Sequence, residues 1–339
     1  MSVRAPSSIQ EVDRQLAEQW LGSELNRMWL VAERCLRQFQ RAGLRAAPDN
    51  PALAEIEGIF TARRAARGGL STGPLDEAEL TRALTDVDSQ IASLRRAAPI
   101  GRMVENLNLN PLEVETLVVA MAPHIDAPLS DVFALLRGSP ARRGVDLALI
   151  AQLFQLKRTD RLQLLDSLDP ERPLLSWRMI QVMPPDSLEA FSSVNYRAIM
   201  PTFDVLSVLT GRGDLAPALQ KTAALERGAP TLADLVLDEA LSERMTMLAE
   251  SLEASKQRGH AGHLPWLLFW GPRGAGKTEL AKRMAAFVGR PLLTFDPTMP
   301  EQGTLEDLLR RAQREALLRG AVLYIGPLKG DLLNDSAKE

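Results

Sequence analysis

The sequence predicts an α/β protein in three parts: an all-helical N-terminal region, a domain of helices followed by strands, and a module whose doubly wound parallel sheet opens on a phosphate-binding loop. Three observations carry that expectation. Apolar residues recur at three- and four-residue spacing through the first half of the chain, the period of a helix with one buried stripe. Strand-like runs begin only after Pro173. The last third holds Leu267-Leu268-Phe269-Trp270, a candidate buried strand, running into Gly271-Pro272-Arg273-Gly274-Ala275-Gly276-Lys277-Thr278, which is the pattern G-x-x-x-x-G-K-T.

Composition sets the outer limits. The 339 residues suffice for two or three domains with a substantial core. An apolar share of 45% and a charged share of 24% are ordinary for a globular chain, and a net charge of −3 gives no global pull toward nucleic acid or an anionic membrane. Cys35 is the single cysteine and lies at helical spacing among Trp29, Val31 and Leu36, so no disulfide framework or cysteine metal site is available. A reduced, cytoplasmic setting is expected. His124, His260 and His263 are too scattered for a metal site, and no signal peptide or membrane-spanning apolar run is read.

From Ile9 to about Gly43 the apolar positions Val12, Leu16, Trp20, Leu21, Leu25, Met28, Trp29, Ala32, Leu36 and Phe39 predict one long helix with an exposed face of mixed charge. Pro48 to Pro51 breaks the pattern, Leu53 to Arg67 resumes it, and Gly68 to Pro74 breaks it again. A third helix runs from about Asp76 to Ala97. Together these form the helical region, residues 1–98, whose helices pack on each other or on a protein partner.

In residues 99–213, Asn110-Pro111-Leu112-Glu113 is a helix start with an N-cap, a first-turn proline and a box-closing Glu. The buried run Leu117 to Ala122 follows, expected to end at Pro123. Shorter helices are read over Leu129–Arg137, Val145–Gln155 and Thr159–Ser167, then strands over Leu174–Met183 and Tyr196–Met200. Helices followed by strands resemble a winged-helix domain. Arg137, Arg142, Arg143, Lys157, Arg158 and Arg161 supply cationic density, but Asp131, Asp146, Asp160, Asp166, Asp169 and Glu171 are interleaved with them. That alternation favours a protein surface over a DNA groove, which needs an unopposed basic face.

Gly211 to Asp214 marks a turn, and residues 214–230 read as a linker. In residues 231–339, Leu235-Val236-Leu237 precedes a helix from Asp238 to about Gln257 with Leu241, Met245, Met247, Leu248 and Leu252 on its apolar side. After the loop come a helix over Thr278–Val288 stopped by Gly289, a strand over Pro291–Phe295, a helix capped by Thr304 and ending at Gly320, and a strand over Ala321–Ile325.

The loop's chemistry follows from its residue types. Gly271, Gly274 and Gly276 let backbone N–H groups close on phosphate oxygens, with Pro272, Arg273 and Ala275 completing the turn. Lys277, Thr278 and Glu279 open a helix whose unpaired N–H groups and positive dipole end face the same anion. Lys277 is expected on the β- and γ-phosphates of ATP and the Thr278 hydroxyl on Mg²⁺. The plain alternative is a glycine-rich strand-to-helix turn.

From Thr231 to Ile325 the order of these elements resembles the AAA+ ATPases, and Leu112 to Asp126 is similar to the region preceding the ATPase module in a bacterial subgroup that includes ATPases encoded with phage-tail-like contractile injection systems. The resemblance implies a nucleotide-driven remodeller of a protein partner, working as a homo-oligomeric ring, with Leu235 and Val236 lining an adenine pocket. Two departures qualify it. The family's third strand ends in an Asp that orients Mg²⁺, followed by an acid that polarises water, whereas this strand ends Tyr324-Ile325-Gly326-Pro327-Leu328-Lys329, with Asp331 and Asp335 too far along. After Glu339 there is no room for the remaining strands, the sensor, the arginine finger or the lid, so a piece of a longer protein is expected. The sequence therefore supports ATP binding better than turnover. A nucleotide-stabilised scaffold is the other reading, with a DNA-associated regulator and a P-loop kinase behind it.

Overall fold

The computed structural model describes residues 8–41, 51–66, 75–137, 144–183, 194–212, 214–233, 235–257, 266–298 and 304–328. The breaks expected at 48–50 and 68–74, and the readings of Arg142, Arg143, His260, His263, Lys329, Asp331 and Asp335, lie outside those residues. The chain divides into two units, Met1–Arg212 and Gly213–Glu339.

The first unit opens with α1 (Ser8–Arg41), α2 (Pro51–Ala66), α3 (Glu77–Arg95) and α4 (Pro99–Leu107). It continues with α5 (Pro111–Ile125), α6 (Ala127–Leu136), α7 (Leu147–Leu153), α8 (Arg158–Asp166) and a single turn, α9 (Pro173–Ser176). The hairpin strands β1 (Ile180–Val182) and β2 (Ile199–Pro201) precede α10 (Phe203–Leu209). The exposed face of α1 carries mixed charge at Arg14 and Glu18, as expected, but it is narrower than the charge pattern suggests, because α3, α5, α6 and α7 all pack against this helix. Glu24, Arg27 and Glu33 are thereby buried. Arg27 donates to Glu24 at 2.9 Å and to both carboxylate oxygens of Glu115 at 2.8 and 2.5 Å, while Arg64 donates to Glu33 at 2.6 Å. Burial pushes the Glu24 carboxyl above its usual value even with Arg27 beside it.

The helix start at Asn110 forms as a reciprocal box: the Asn110 side chain accepts from the Glu113 N–H at 2.9 Å and Glu113 accepts from the Asn110 N–H at 2.8 Å. Pro123 does not end α5, as expected, but sits in its last turn, where the Asp126 N–H still reaches the Ala122 carbonyl at 2.9 Å. The strand expected over Leu174–Met183 shrinks to β1. Pro173 instead starts α9, and Arg178 at φ 48° turns the chain into the hairpin. Strand β2 pairs antiparallel with β1, and Val145 bridges to Ile199 on its other side. Ile180, Ile199 and Pro201 face the core; Gln181 and Met200, paired across the hairpin, face outward. Helices α7 and α8 between Val145 and this hairpin complete a helix–helix–wing arrangement.

In the second unit β3 (Ala223–Glu226) is followed by α11 (Glu239–Gln257) and α12 (Lys277–Phe287). Then come β4 (Leu292–Phe295), α13 (Leu305–Arg319) and β5 (Val322–Ile325). Two expectations are corrected. The stretch read as a linker supplies β3, which pairs antiparallel with β4, whereas β4 and β5 are parallel. Leu267–Trp270 forms no strand, and Trp266, Leu268 and Trp270 are 99%, 85% and 94% exposed. Among the described residues the sheet is therefore a small mixed one ordered β3-β4-β5, and no doubly wound parallel sheet is formed. An apolar run announces burial but not which strand edge provides it.

Helices lie on both faces of this sheet. Ala281 and Ala285 of α12 pack on Leu292, Val322 and Tyr324; Leu308 and Ala312 of α13 pack on Phe295, Leu323 and Ile325. The alternation along β5 is the two-residue period of a strand between two layers. On α11, Met245, Leu248, Ala249 and Leu252 meet Leu280 and Met284, but Leu241 and Met247, expected on that side, are exposed. Helix α13 is capped by Thr304, whose hydroxyl accepts from the Asp307 N–H, and closed by Gly320 in the left-handed region.

Candidate functional site

The loop 271–276 leads directly into α12, and its shape is set by three glycines at positive φ: 148° at Gly271, 83° at Gly274 and 77° at Gly276. At Gly274 and Gly276 a Cβ would meet nothing within 4 Å. Backbone conformation, not crowding, thus demands glycine there. Gly276 caps α12 without a side chain, which leaves the first N–H groups of the helix for an external acceptor.

Lys277 folds back under the loop. Its ammonium donates to the carbonyls of Gly271 at 2.9 Å and Pro272 at 2.6 Å. An ammonium has three donors, so these two bonds hold Nζ at the loop with one donor to spare for an anion. Pro272, Arg273 and Ala275 are exposed around it. Glu279 is engaged elsewhere: hydrogen bonds from Arg283 and Lys282 hold its carboxyl below the usual value. Lys282 is raised in turn by its bonds to Glu226 and Glu279. Glu226 lies on β3, so this pair fastens α12 to the sheet.

Thr278 places its hydroxyl 3.5 Å from the hydroxyl of Tyr324 on β5. Nothing in the sequence pattern singles out Tyr324, which reads only as one apolar position of a strand. Its polar tip was the available signal. Beyond it, Gly326 and Pro327 bring no carboxylate to the end of β5. Leu235 packs on the cluster containing Leu280 and Met284, while Val236 is fully exposed, so the two do not face one pocket.

In the first unit, the exposed side of α8 carries Leu162 and Leu165 beside Arg158, Arg161 and Asp166, and the outer face of the hairpin carries Met183 and Met200. A cleft of about 410 Å³ among α1, α3, α4 and α5 is lined by Glu24, Arg27, Arg95, Arg96 and Glu115. Its carboxylates on α1 and α5 are already tied to Arg27.

Residues 30–196 match the family model described as "Winged helix domain, variant", the span that includes α7, α8 and β1. That match, just under half of the chain, is to a winged helix family, which this span resembles. No curated protein and no solved structure matches the chain.

Proposed function

We propose that the second unit is a nucleotide-binding module of the AAA+ ATPase type, and that in a complete protein it couples ATP to the remodelling of a protein partner engaged by the first unit. The observation that carries this reading is the loop of positive-φ glycines closed by Lys277 at the uncapped start of α12. Gly271, Pro272, Arg273, Gly274, Ala275, Gly276, Lys277, Thr278 and Glu279 would surround the phosphates through backbone N–H groups and the lysine. Leu267–Trp270 would lie along β5, which has β4 on one side and no described strand on the other. Phe269 already packs on the cluster of Ala281, Ala285 and Leu292 that Val322 and Tyr324 also meet, and seating its neighbours would bury Trp266 and Trp270.

Hydrolysis is expected to be slight, since Gly326 and Pro327 cannot orient water or metal. That same pair favours the second reading, a nucleotide-stabilised scaffold; nucleotide-dependent change of oligomeric state in the remodeller, and none in the scaffold, separates the two. The mixed apolar and charged surface of α8 and the hairpin supports a protein partner over duplex DNA.

Calorimetric titration with Mg·ATP and Mg·ADP, with Lys277→Ala as control, tests the nucleotide reading. Saturable heat lost in the variant supports it. Equal heats in both proteins would contradict it.

A further inference from the structure

We propose that this loop takes its nucleotide without a divalent cation, the Tyr324 hydroxyl occupying the place at Thr278 that a metal would hold. The inference rests on the nucleotide reading of the loop and goes further into the same site. Mg²⁺ requires near-octahedral oxygen coordination and is normally held by one or two carboxylates besides phosphate oxygens and water. The side chains present do not meet that demand. Gly326 and Pro327 offer no side-chain oxygen. Asp296, the carboxylate just past β4, uses Oδ1 to accept from the N–H and hydroxyl of Thr298 at 2.8 and 2.6 Å. Among the described residues no group of three or more His, Cys, Asp or Glu could hold a metal ion.

What stands there instead is built. Tyr324 shares the α12 face of β5 with Val322, which directs its ring toward the first turn of α12. Its hydroxyl is 3.5 Å from that of Thr278, at the outer limit of a hydrogen bond. Gly326 makes room for the ring: a Cβ at that position would lie 3.2 Å from Cε1, 3.3 Å from the hydroxyl and 3.4 Å from Cζ of Tyr324. Gly326 is not among the positive-φ glycines, so space and not backbone conformation is what a glycine provides here. The absent carboxylate and the present phenol are therefore one coupled feature, because an Asp at 326 would crowd the ring.

A phenol accepts one hydrogen bond and donates another. Accepting from Thr278, Tyr324 keeps its own proton for a phosphate oxygen, as a neutral donor beside the ammonium of Lys277. The ligand class is thus a metal-free nucleoside di- or triphosphate, with its charge met by Lys277, the loop N–H groups and the end of α12.

The test is calorimetric titration of ATP into the full chain in excess Mg²⁺ and in excess chelator, for the natural protein and for Tyr324→Phe, which keeps the ring and its packing. The expected result is similar affinity in both buffers for the natural protein. With chelator, Tyr324→Phe should bind about fivefold more weakly, the factor that one net hydrogen bond contributes. Binding by the natural protein that falls tenfold or more on chelation, about 1.4 kcal/mol, would overturn the inference and leave the nucleotide reading standing. So would chelator binding unaffected by Tyr324→Phe. Absence of saturable heat in both buffers would remove the nucleotide reading, and this inference with it.

Discussion

The two units treat their awkward residues in opposite ways. In the first, charges that enter the interior arrive with partners: Arg27 between Glu24 and Glu115, Arg137 on Asp146, Arg172 on Glu113. In the second, Trp266, Leu268 and Trp270 stand in solvent next to the loop, and among the described residues β5 pairs on one side only. The second carries apolar surface beside the loop and a strand edge whose partners are not among the described residues.

The largest effect should come from breaking the first unit's internal pairing. Asp146 is fully buried, caps α7 through the Leu149 N–H at 2.8 Å and pairs with Arg137. Asp146→Ala should cost about 3–5 kcal/mol, because it removes both the α7 cap and the carboxylate that neutralises a buried guanidinium. Urea unfolding measures this; a loss below about 1 kcal/mol would mean that the pair behaves as a surface one. Asn110→Ala, removing one half of the box on α5, should cost about 1 kcal/mol in the same assay. A smaller change tests the exposed side of α8. Leu162→Ser with Leu165→Ser should shift stability by no more than about 0.5 kcal/mol per site, and a larger loss would place these leucines in the core.

Much of this was legible where the signal is local. The box at Asn110 and Glu113, the Thr304 cap with Gly320, and the loop glycines are each fixed by neighbours a few residues away, and each forms as read. What depends on distant pairing was not. Ala223–Glu226 has no alternation to mark it, and only its register against Leu292–Phe295 makes it a strand. Leu267–Trp270 has every mark of a buried strand and is not one. The charges of α1 read as a solvated face because nothing near them in the chain reveals Glu115 or Arg64. Likewise Gly326 read as a missing acid, and only its distance to the Tyr324 ring shows the space it leaves.

The smallest predicted effect concerns His124. Its ring is exposed, and partial desolvation alone lowers its pKa from the ordinary 6.5, so the fold slightly favours the neutral ring. Its contribution to stability is complete above 6.5 and is lost as pH falls through the lowered folded value. His124→Gln should flatten the stability profile of the chain on mild acidification; an unchanged slope would remove His124 from that account.

The most direct test of the central claim is amide hydrogen exchange of the full chain with and without ATP, alongside Lys277→Ala. Protection should appear in 266–280 and along 322–326, with the first unit unchanged and no protection in the variant. Identical exchange through the loop and β5 at saturating ATP would contradict the claim that this loop is a nucleotide site.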